Sequence, residues 1–450
     1  MGQAFLLALF VIDKEDAESR TGVFMIDASK GYIKDGNKNR LREQDIHEIV
    51  DAFNNQIEVP RYSRMVPITE ISNPKNDYNL NISRYIDSQE EEDLQDIEAH
   101  LLGGIPAKDV EDLAAYWSVC PSLKEALFTP SERPEYFNLK VKKTNIKSTI
   151  FENSEFTGYS KKVESTFNGW QEEIKSLLNN LQIGSKPKEL ITILSEKLIS
   201  SFGKNALIDK YDVYQKLMDY WFETMQDDAY LISTNGWKAE LNVTKNSKGK
   251  DTEWTCDLIP KKVLIAKFFV KAQETINDLM VEAETIGQQM ETLKEENTGE
   301  DDLFAEVKND ADKIAKPDLI KRIRNINAKS EFVDELKVLE EYLGLIQKNA
   351  EINSKIKSVE LDLDKKLQIK CKNLTLEETK SLVVEDKWLK SMHDSVKNEV
   401  ERISQKLAGR IKELAERYES PMPKLTKEVE EHSKNVDNHL RNMGFEWVCQ

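Results

Sequence analysis

The side chains best equipped for chemistry in this chain cluster in its first hundred residues. Asn79, Asn81, Arg84 and Tyr85 lie within the string Asn76-Asp77-Tyr78-Asn79-Leu80-Asn81-Ile82-Ser83-Arg84-Tyr85-Ile86. Amide, guanidinium and phenol groups at this density can hydrogen-bond DNA or a protein partner. They can also satisfy backbone groups of an extended connector while Tyr85 packs, and this plainer use is preferred. Asp27, at the end of an apolar run, can border a substrate pocket or cap the next turn; capping is again preferred. Cys120, Cys256, Cys371 and Cys449 have no C-x-x-C spacing and are expected as buried or incidental reduced thiols. The five histidines are equally scattered, so no metal site is expected. Lys140, Lys142, Lys143 and Lys147 form one basic cluster, and Lys245, Lys248 and Lys250 another; either can touch phosphates, but a solvated surface suits them better.

The elements that hold these groups can be read from composition and spacing. Charged residues make up 32% of the 450 and hydrophobic ones 39%, with a mean hydropathy of -0.58. Apolar residues recur regularly through the charged stretches, which implies a soluble, helix-rich protein of two or three domains. A net charge of -17 excludes a surface that grips phosphates throughout. Any contact with DNA must rely on local basic patches or another subunit. Residues 4–12 are an apolar run with no basic residue before it and Asp13-Lys14-Glu15-Asp16 after it. The run is too short to span a membrane as a helix, so a buried strand and a cytoplasmic location are expected.

Residues 5–12 and 23–26 read as two buried strands forming a hairpin, a sheet fragment that needs further neighbours. A helix is expected over 43–54, with Ile46, Ile49, Val50 and Phe53 on one face. Prolines at 60, 67 and 74 predict an irregular connector over 58–87. The acidic block 88–98 predicts the opening of another helix. Residues 150–230 read as helical, with a stripe through Trp170, Ile174, Leu177 and Leu181. Alternation between 231 and 260 predicts a β-hairpin with a basic tip around Lys245 to Lys250. Beyond 261 the chain reads as almost wholly helical. Stripes run through Ile276, Met280, Ala283, Ile286, Met290 and Leu293, and through Leu336, Leu339, Leu343, Ile346 and Ala350. The clearest seam is Met392, Val396, Val400, Ile403, Leu407, Ile411, Leu414 and Tyr418, which suits either an internal core or a coiled coil with another subunit. Pro421 and Pro423 end that helix, and a shorter one follows over 424–441. The expected fold class is therefore mainly α, with a short β remnant at the N-terminus, long coiled-coil-like helices and one inserted β-hairpin.

The ordered series Ile26-Asp27-Ala28-Ser29, Asn37 to Val50, Glu70-Ile71 and Asn76 to Tyr85 resembles the modification (M) subunit of type I restriction–modification systems. That subunit is an adenine-N6 DNA methyltransferase, and these segments follow its catalytic motifs. Stretches 374–380, 386–389 (with Lys387 and Trp388), 410–418 and 443–445 resemble the tail of longer members; 135–255 match less well. Methyltransferases of this kind use an F-x-G-x-G turn for S-adenosylmethionine and an N-P-P-[FYW] string for the flipped base. Here the paired glycines, Gly103-Gly104, follow a helix, and Asn73-Pro74-Lys75 has lysine where the aromatic ring belongs.

The resemblance thus implies the C-terminal portion of a modification subunit, truncated or split, with no catalytic, cofactor-binding or metal residues of its own and no activity alone. The β remnant would be the end of an α/β methyltransferase sheet. S-adenosylmethionine would serve the intact subunit. Partners implied are the specificity (S) subunit, the restriction (R) subunit, a separate N-terminal methyltransferase half and, through the complex, DNA, with no membrane. Asp27, Asn79, Asn81, Arg84, Tyr85, Lys387 and Trp388 are the interaction or signature residues. Residues 1–60 would be terminal strands and helix of the methyltransferase domain, 61–135 a connector with helices, 136–270 a mixed region with the hairpin, and 271–450 the helical C-terminal region. The alternative is a free-standing helical interaction protein without methyltransferase activity.

Overall fold

The structure is a computed structural model that describes residues 9–15, 17–89, 93–245, 251–297, 304, 307, 314–326 and 333–444. It is mainly helical, with four small antiparallel sheets among the described residues. Two units can be distinguished: Met1–Asn180 with Ser185–Tyr230 and Leu389–Gln450, and Leu181–Gly184 with Leu231–Trp388. No helix among the described residues is long and apolar enough to cross a membrane.

In the first unit, strand β1 (Gly22–Ile26) pairs antiparallel with β2 (Ser63–Pro67), with Gly22 opposite Pro67 and Ile26 opposite Ser63. This corrects the expected hairpin. Residues 5–8 lie outside the described residues, and 9–12 form no strand; Leu9 and Ile12 are exposed. Among the described residues, β1's partner comes from the proline-punctuated connector. Pro67 fits because it closes the strand, where a missing amide costs little. Gly22 is required by close approach, since a Cβ there would lie 2.6 Å from the Val66 carbonyl oxygen. The expected helix over 43–54 is helix α1 (Glu43–Asn55). In the acidic block 88–98, residues 90–92 lie outside the described residues, and the helix begins at Ile97, where the Asp96 carboxylate accepts the Ala99 amide at 2.7 Å.

Three longer helices precede the seam: α2 (Ser154–Asn179), α3 (Pro187–Phe202) and α4 (Lys210–Tyr220). Asn153 caps α2 by accepting the Glu155 and Phe156 amides. Its buried stripe is Phe156, Tyr159, Val163, Phe167, Trp170, Ile174 and Leu178, so Leu178 takes the place expected for Leu177.

In the second unit, β3 (Asn242–Lys245) and β4 (Asp251–Thr255) form the expected inserted hairpin. Its basic tip lies outside the described residues. Helix α5 (Lys261–Phe268) leads into α6 (Val270–Glu296), which packs along α8 (Val333–Lys372) through Ile286, Ile352 and Ile356. Met280, expected in the α6 stripe, is exposed. Helix α7 (Lys316–Ile326) adds Leu319, Ile323 and Ile326 to a cluster with Leu339 and Tyr342.

The seam helix, α9 (Lys390–Arg417), returns to the first unit. All eight seam residues from Met392 to Tyr418 are buried. Helix Ile146–Glu152, α2 and α4 pack against α9, so the stripe is internal core. Helix α10 (Met422–Asn442) follows Pro421 and buries none of its residues.

Polar ties reinforce the α9 end. The Tyr418 hydroxyl donates to Asp109 Oδ2 at 3.1 Å and accepts the Asp96 amide at 3.3 Å. Asp93 is bound by Arg417 and Arg410, whose hydrogen bonds hold its carboxyl well below the ordinary value of 3.8. A folded value below the unfolded one means that these ties stabilise above about pH 4 and fade as pH falls through the folded value. Asp93→Asn should therefore melt below the parent at neutral pH, with the gap narrowing as pH falls below about 4. Parallel thermal melts from about pH 7 to about pH 2 check this; a gap that does not change with pH would refute it.

Candidate functional site

The segment around β1, α1 and β2 carries most of the residues singled out in the sequence. Met25, Val66, Ile71, Tyr85 and Ile86 close a small core beneath the strands. Tyr85 is 6% exposed, and its hydroxyl donates to the Asn79 carbonyl at 2.6 Å. Asn79 Oδ1 accepts the Asn81 amide at 2.9 Å, and Asn81 Oδ1 accepts the Ser83 hydroxyl at 3.2 Å. Arg84 is exposed and donates to the Lys75 carbonyl at 3.2 Å. Arg64 clamps the turn by pairing with Glu70 at 2.7 Å and donating to the Tyr85 carbonyl at 3.3 Å.

Asp27 follows β1 directly, and its carboxylate accepts the Ser29 amide at 3.0 Å. Burial pushes its carboxyl up, but hydrogen bonds from Ser88 and Ser29 outweigh burial and leave it below the ordinary range. Asn79, Asn81, Arg84 and Tyr85 thus share one turn-rich segment tied by local hydrogen bonds, while Asp27 bonds Ser29 and Ser88.

Lys387 and Trp388 belong to the second unit. They lie on the π-helical stretch Leu382–Leu389, which turns Leu382, Val383, Val384, Lys387 and Trp388 inward. Lys387 Nζ donates to the Leu258 carbonyl at 2.9 Å. Trp388 is 1% exposed, with its ring 6.1 Å from that of Trp237.

Two further features were not among the chosen site residues. Asp77 and Tyr78 have φ of 46° and 56°, a left-handed conformation uncommon for a tyrosine, and Tyr78 is left 69% exposed. The second is the outer face of α1, where Ile46, Val50 and Phe53 are 43%, 48% and 45% exposed. Its three- and four-residue spacing was visible in the sequence; its partial exposure was not.

The opposite side of α1 is polar and well seated. Gln44 bonds Gln215 at 3.0 Å and Asp212 at 3.1 Å, both on α4. Asp51 accepts Lys210 at 2.9 Å and the Tyr211 hydroxyl at 2.6 Å. Asp45 pairs with Arg42 at 2.8 Å. Burial, together with Asp209 and Asp45, pushes the Glu48 carboxyl up, and burial beside Glu48 and Asp45 does the same to the Tyr62 phenol. So acidic a setting suits a protein neighbour better than a phosphate backbone.

Residues 2–94 match the N-6 DNA methylase family. The chain is 36% identical over 97 residues to the type I restriction enzyme MjaVII methylase subunit of Methanocaldococcus jannaschii, covering 21% of this chain and 16% of that protein. It is 36% identical over 93 residues to the MjaVIII methylase subunit of the same organism, covering 20% and 16%. It is 29% identical over 84 residues to the MpnII methylase subunit of Mycoplasma pneumoniae, covering 19% and 15%. No solved structure matches the chain. The N-terminal segment is therefore similar to N-6 DNA methylases and to type I methylase subunits. The chain spans about a sixth of the length of each of these relatives.

The two stretches nearest to the family's motifs are taken up by local structure. Gly103 ends a helix, and a Cβ on Gly104 would lie 3.2 Å from the Tyr136 side chain. Arg133 donates to the Gly103 carbonyl at 2.6 Å and stacks 3.8 Å above the Tyr136 ring. The glycine pair is thus packed against this chain's own side chains. Asn73 forms a turn, accepting the Lys75 amide at 3.0 Å on its side chain and the Asn76 and Asp77 amides on its carbonyl. Among the described residues, no group of three or more His, Cys, Asp or Glu side chains could hold a metal ion.

Proposed function

We propose that this chain closes an adenine-N6 DNA methyltransferase domain and carries the helical assembly region of a type I modification subunit. The observation that carries the reading is the family match over residues 2–94, on a segment whose α1 has an uncovered apolar face. A helix that covers a complete sheet buries such a stripe; here Ile46, Val50 and Phe53 await one. Strands able to bind S-adenosylmethionine would come from polypeptide beyond this sequence, either preceding it in the same subunit or separate from it. The intact subunit would use S-adenosylmethionine to methylate adenine N6, while a specificity subunit reads the site and a restriction subunit joins the complex.

In this reading residues 1–60, joined by β2 from the start of the connector, end the methyltransferase domain, and the β1–β2 pair is the remnant of its sheet. Residues 61–135 connect, 136–270 form a mixed region, and 271–450 serve assembly through coiled-coil-like helices. Asn81, Arg84 and Tyr78 would face the catalytic segment or DNA, with Asp27, Asn79 and Tyr85 shaping the turn behind them. Lys387 and Trp388 would set the form of the assembly region. The work of such a complex lies in the cytoplasm.

The test combines this chain with a type I methyltransferase segment that contains both missing motifs, with and without a specificity subunit. Transfer of labelled methyl groups to adenine-containing DNA is expected for the combination and not for the chain alone. Val50→Asp with Phe53→Asp should abolish co-purification of the two parts while the helical circular-dichroism signal persists. Methyl transfer by the chain alone would overturn the proposal. Binding to the specificity subunit with no transfer in any combination would favour the free-standing interaction protein.

A further inference from the structure

The first unit carries an apolar surface built from two of its helices. On α10, Met422, Leu425, Val429, Val436 and Met443 recur at steps of three, four and seven, the a and d positions of a heptad. His432 and His439 take the remaining d positions, and all of these residues are exposed, Val429 by 67%. Helix Ile97–Leu102 packs against α10 and adds Leu101, Leu102 and Ile97, the last 76% exposed. The two helices are tied at one point. The Asp96 amide donates to the Tyr418 hydroxyl, and the His100 ring lies 5.0 Å from the Tyr418 ring. A Cβ on Gly103 would lie 3.7 Å from the Pro421 side chain, at the start of α10.

We propose that this surface joins two copies of the chain, with α10 pairing against α10 of the second copy. Charge selects that occupant. The protein has a net charge of -17, yet on α10 Lys424, Lys427, Lys434 and Arg441 balance Glu428, Glu430, Glu431 and Asp437. The helix therefore has no net charge to repel its own copy, and none to attract a nucleic acid or a basic partner. The positions beside the stripe are Thr426, Ser433 and Leu440 on one side and Glu428, Asn435 and Asn442 on the other. Opposite charges at such positions are what select a different helix as partner. Here Glu428 alone is charged, and every other charge lies away from the stripe, so an identical helix meets no opposition.

A two-fold pairing uses the same patch on both copies, so Ile97 and Leu101 enlarge the contact from each side. The helix is about 32 Å long at the usual rise, which gives three heptads of contact. Each copy keeps its own core, because α10 buries none of its residues in the single chain. The contact is therefore small and reversible, with half-association on the order of 10 µM. Separation leaves the α9 seam enclosed, so unfolding followed below that concentration is that of the single chain.

Sedimentation equilibrium of the full chain from about 1 to about 200 µM tests this. The mass should rise from 51.9 kDa towards twice that value. Val429→Asp with Val436→Asp puts carboxylates into the seam and should weaken association by more than about 100-fold. Lys427→Gln with Lys434→Gln changes the opposite side of α10 and should leave the midpoint within about twofold. Leu101→Asp, on the other helix, gives an independent reading and should weaken association about 10-fold. A mass of 51.9 kDa at every concentration, or a dimer that survives both aspartate variants, would overturn the proposal. So would a chain that stays single by itself and engages a specificity subunit through α10. None of these readings depends on methyl transfer.

Discussion

Ile411→Ala should lower the stability of the first unit by about 2–5 kcal/mol, the usual range for emptying a well-packed aliphatic site. Ile411 is 0% exposed at the middle of the α9 seam, between Leu407 and Leu414, which are equally enclosed. Helices that pack against α9 come from distant parts of this chain, so a cavity there cannot be filled by a small local shift. The cost should also be independent of protein concentration, because the stripe is covered within the chain. A seam that joined two subunits would instead give a melting temperature that rises with concentration. Urea unfolding of parent and variant at two widely separated concentrations checks both points. A loss below about 1 kcal/mol, or a strong concentration dependence, would contradict the assignment of the seam to the core.

A larger effect, about 3–5 kcal/mol, is expected for Trp388→Ala in the second unit. The indole is 1% exposed and sits against Trp237, which is pinned by its own hydrogen bond to the Leu181 carbonyl at 2.7 Å. Removing it strips the π-helical stretch of its largest anchor and leaves the neighbouring Lys387 ammonium beside a void. Trp388→Phe should recover much of the loss, since a smaller ring still fills most of the space. Denaturant melts followed by circular dichroism measure the series. If Trp388→Ala retains parental stability yet abolishes association with partner subunits, the residue is a contact and the packing account fails.

Much of the helical framework was legible because three- and four-residue spacing survives whatever the tertiary setting. The seam from Met392 to Tyr418 and the stop at Pro421 were clear for this reason, as was the inserted hairpin. Spacing marks a face but does not say what covers it. Hence α1 was recognised as amphipathic, whereas its exposed Ile46, Val50 and Phe53 came as a surprise. The first strand's partner was missed for a related reason. Pairing is a long-range choice, and the proline-flanked residues 63–67 read locally as connector. The acidic block 88–98 shows the limit of charge as a guide, because the helix waits for Asp96 to cap it.

The polar site was less legible still. Asn79, Asn81, Arg84 and Tyr85 could be named from their types, but their hydrogen bonds to nearby backbone depend on the turn conformation at Asp77 and Tyr78.

Helix α10 has an apolar stripe through Met422, Leu425, Val429 and Val436, all of it exposed. With none of its side chains buried, it is held by its own backbone bonds and by packing on helix Ile97–Leu102, whereas the α9 seam just before it is enclosed along its length. A neighbour that covered the exposed stripe would gain apolar burial without disturbing that seam.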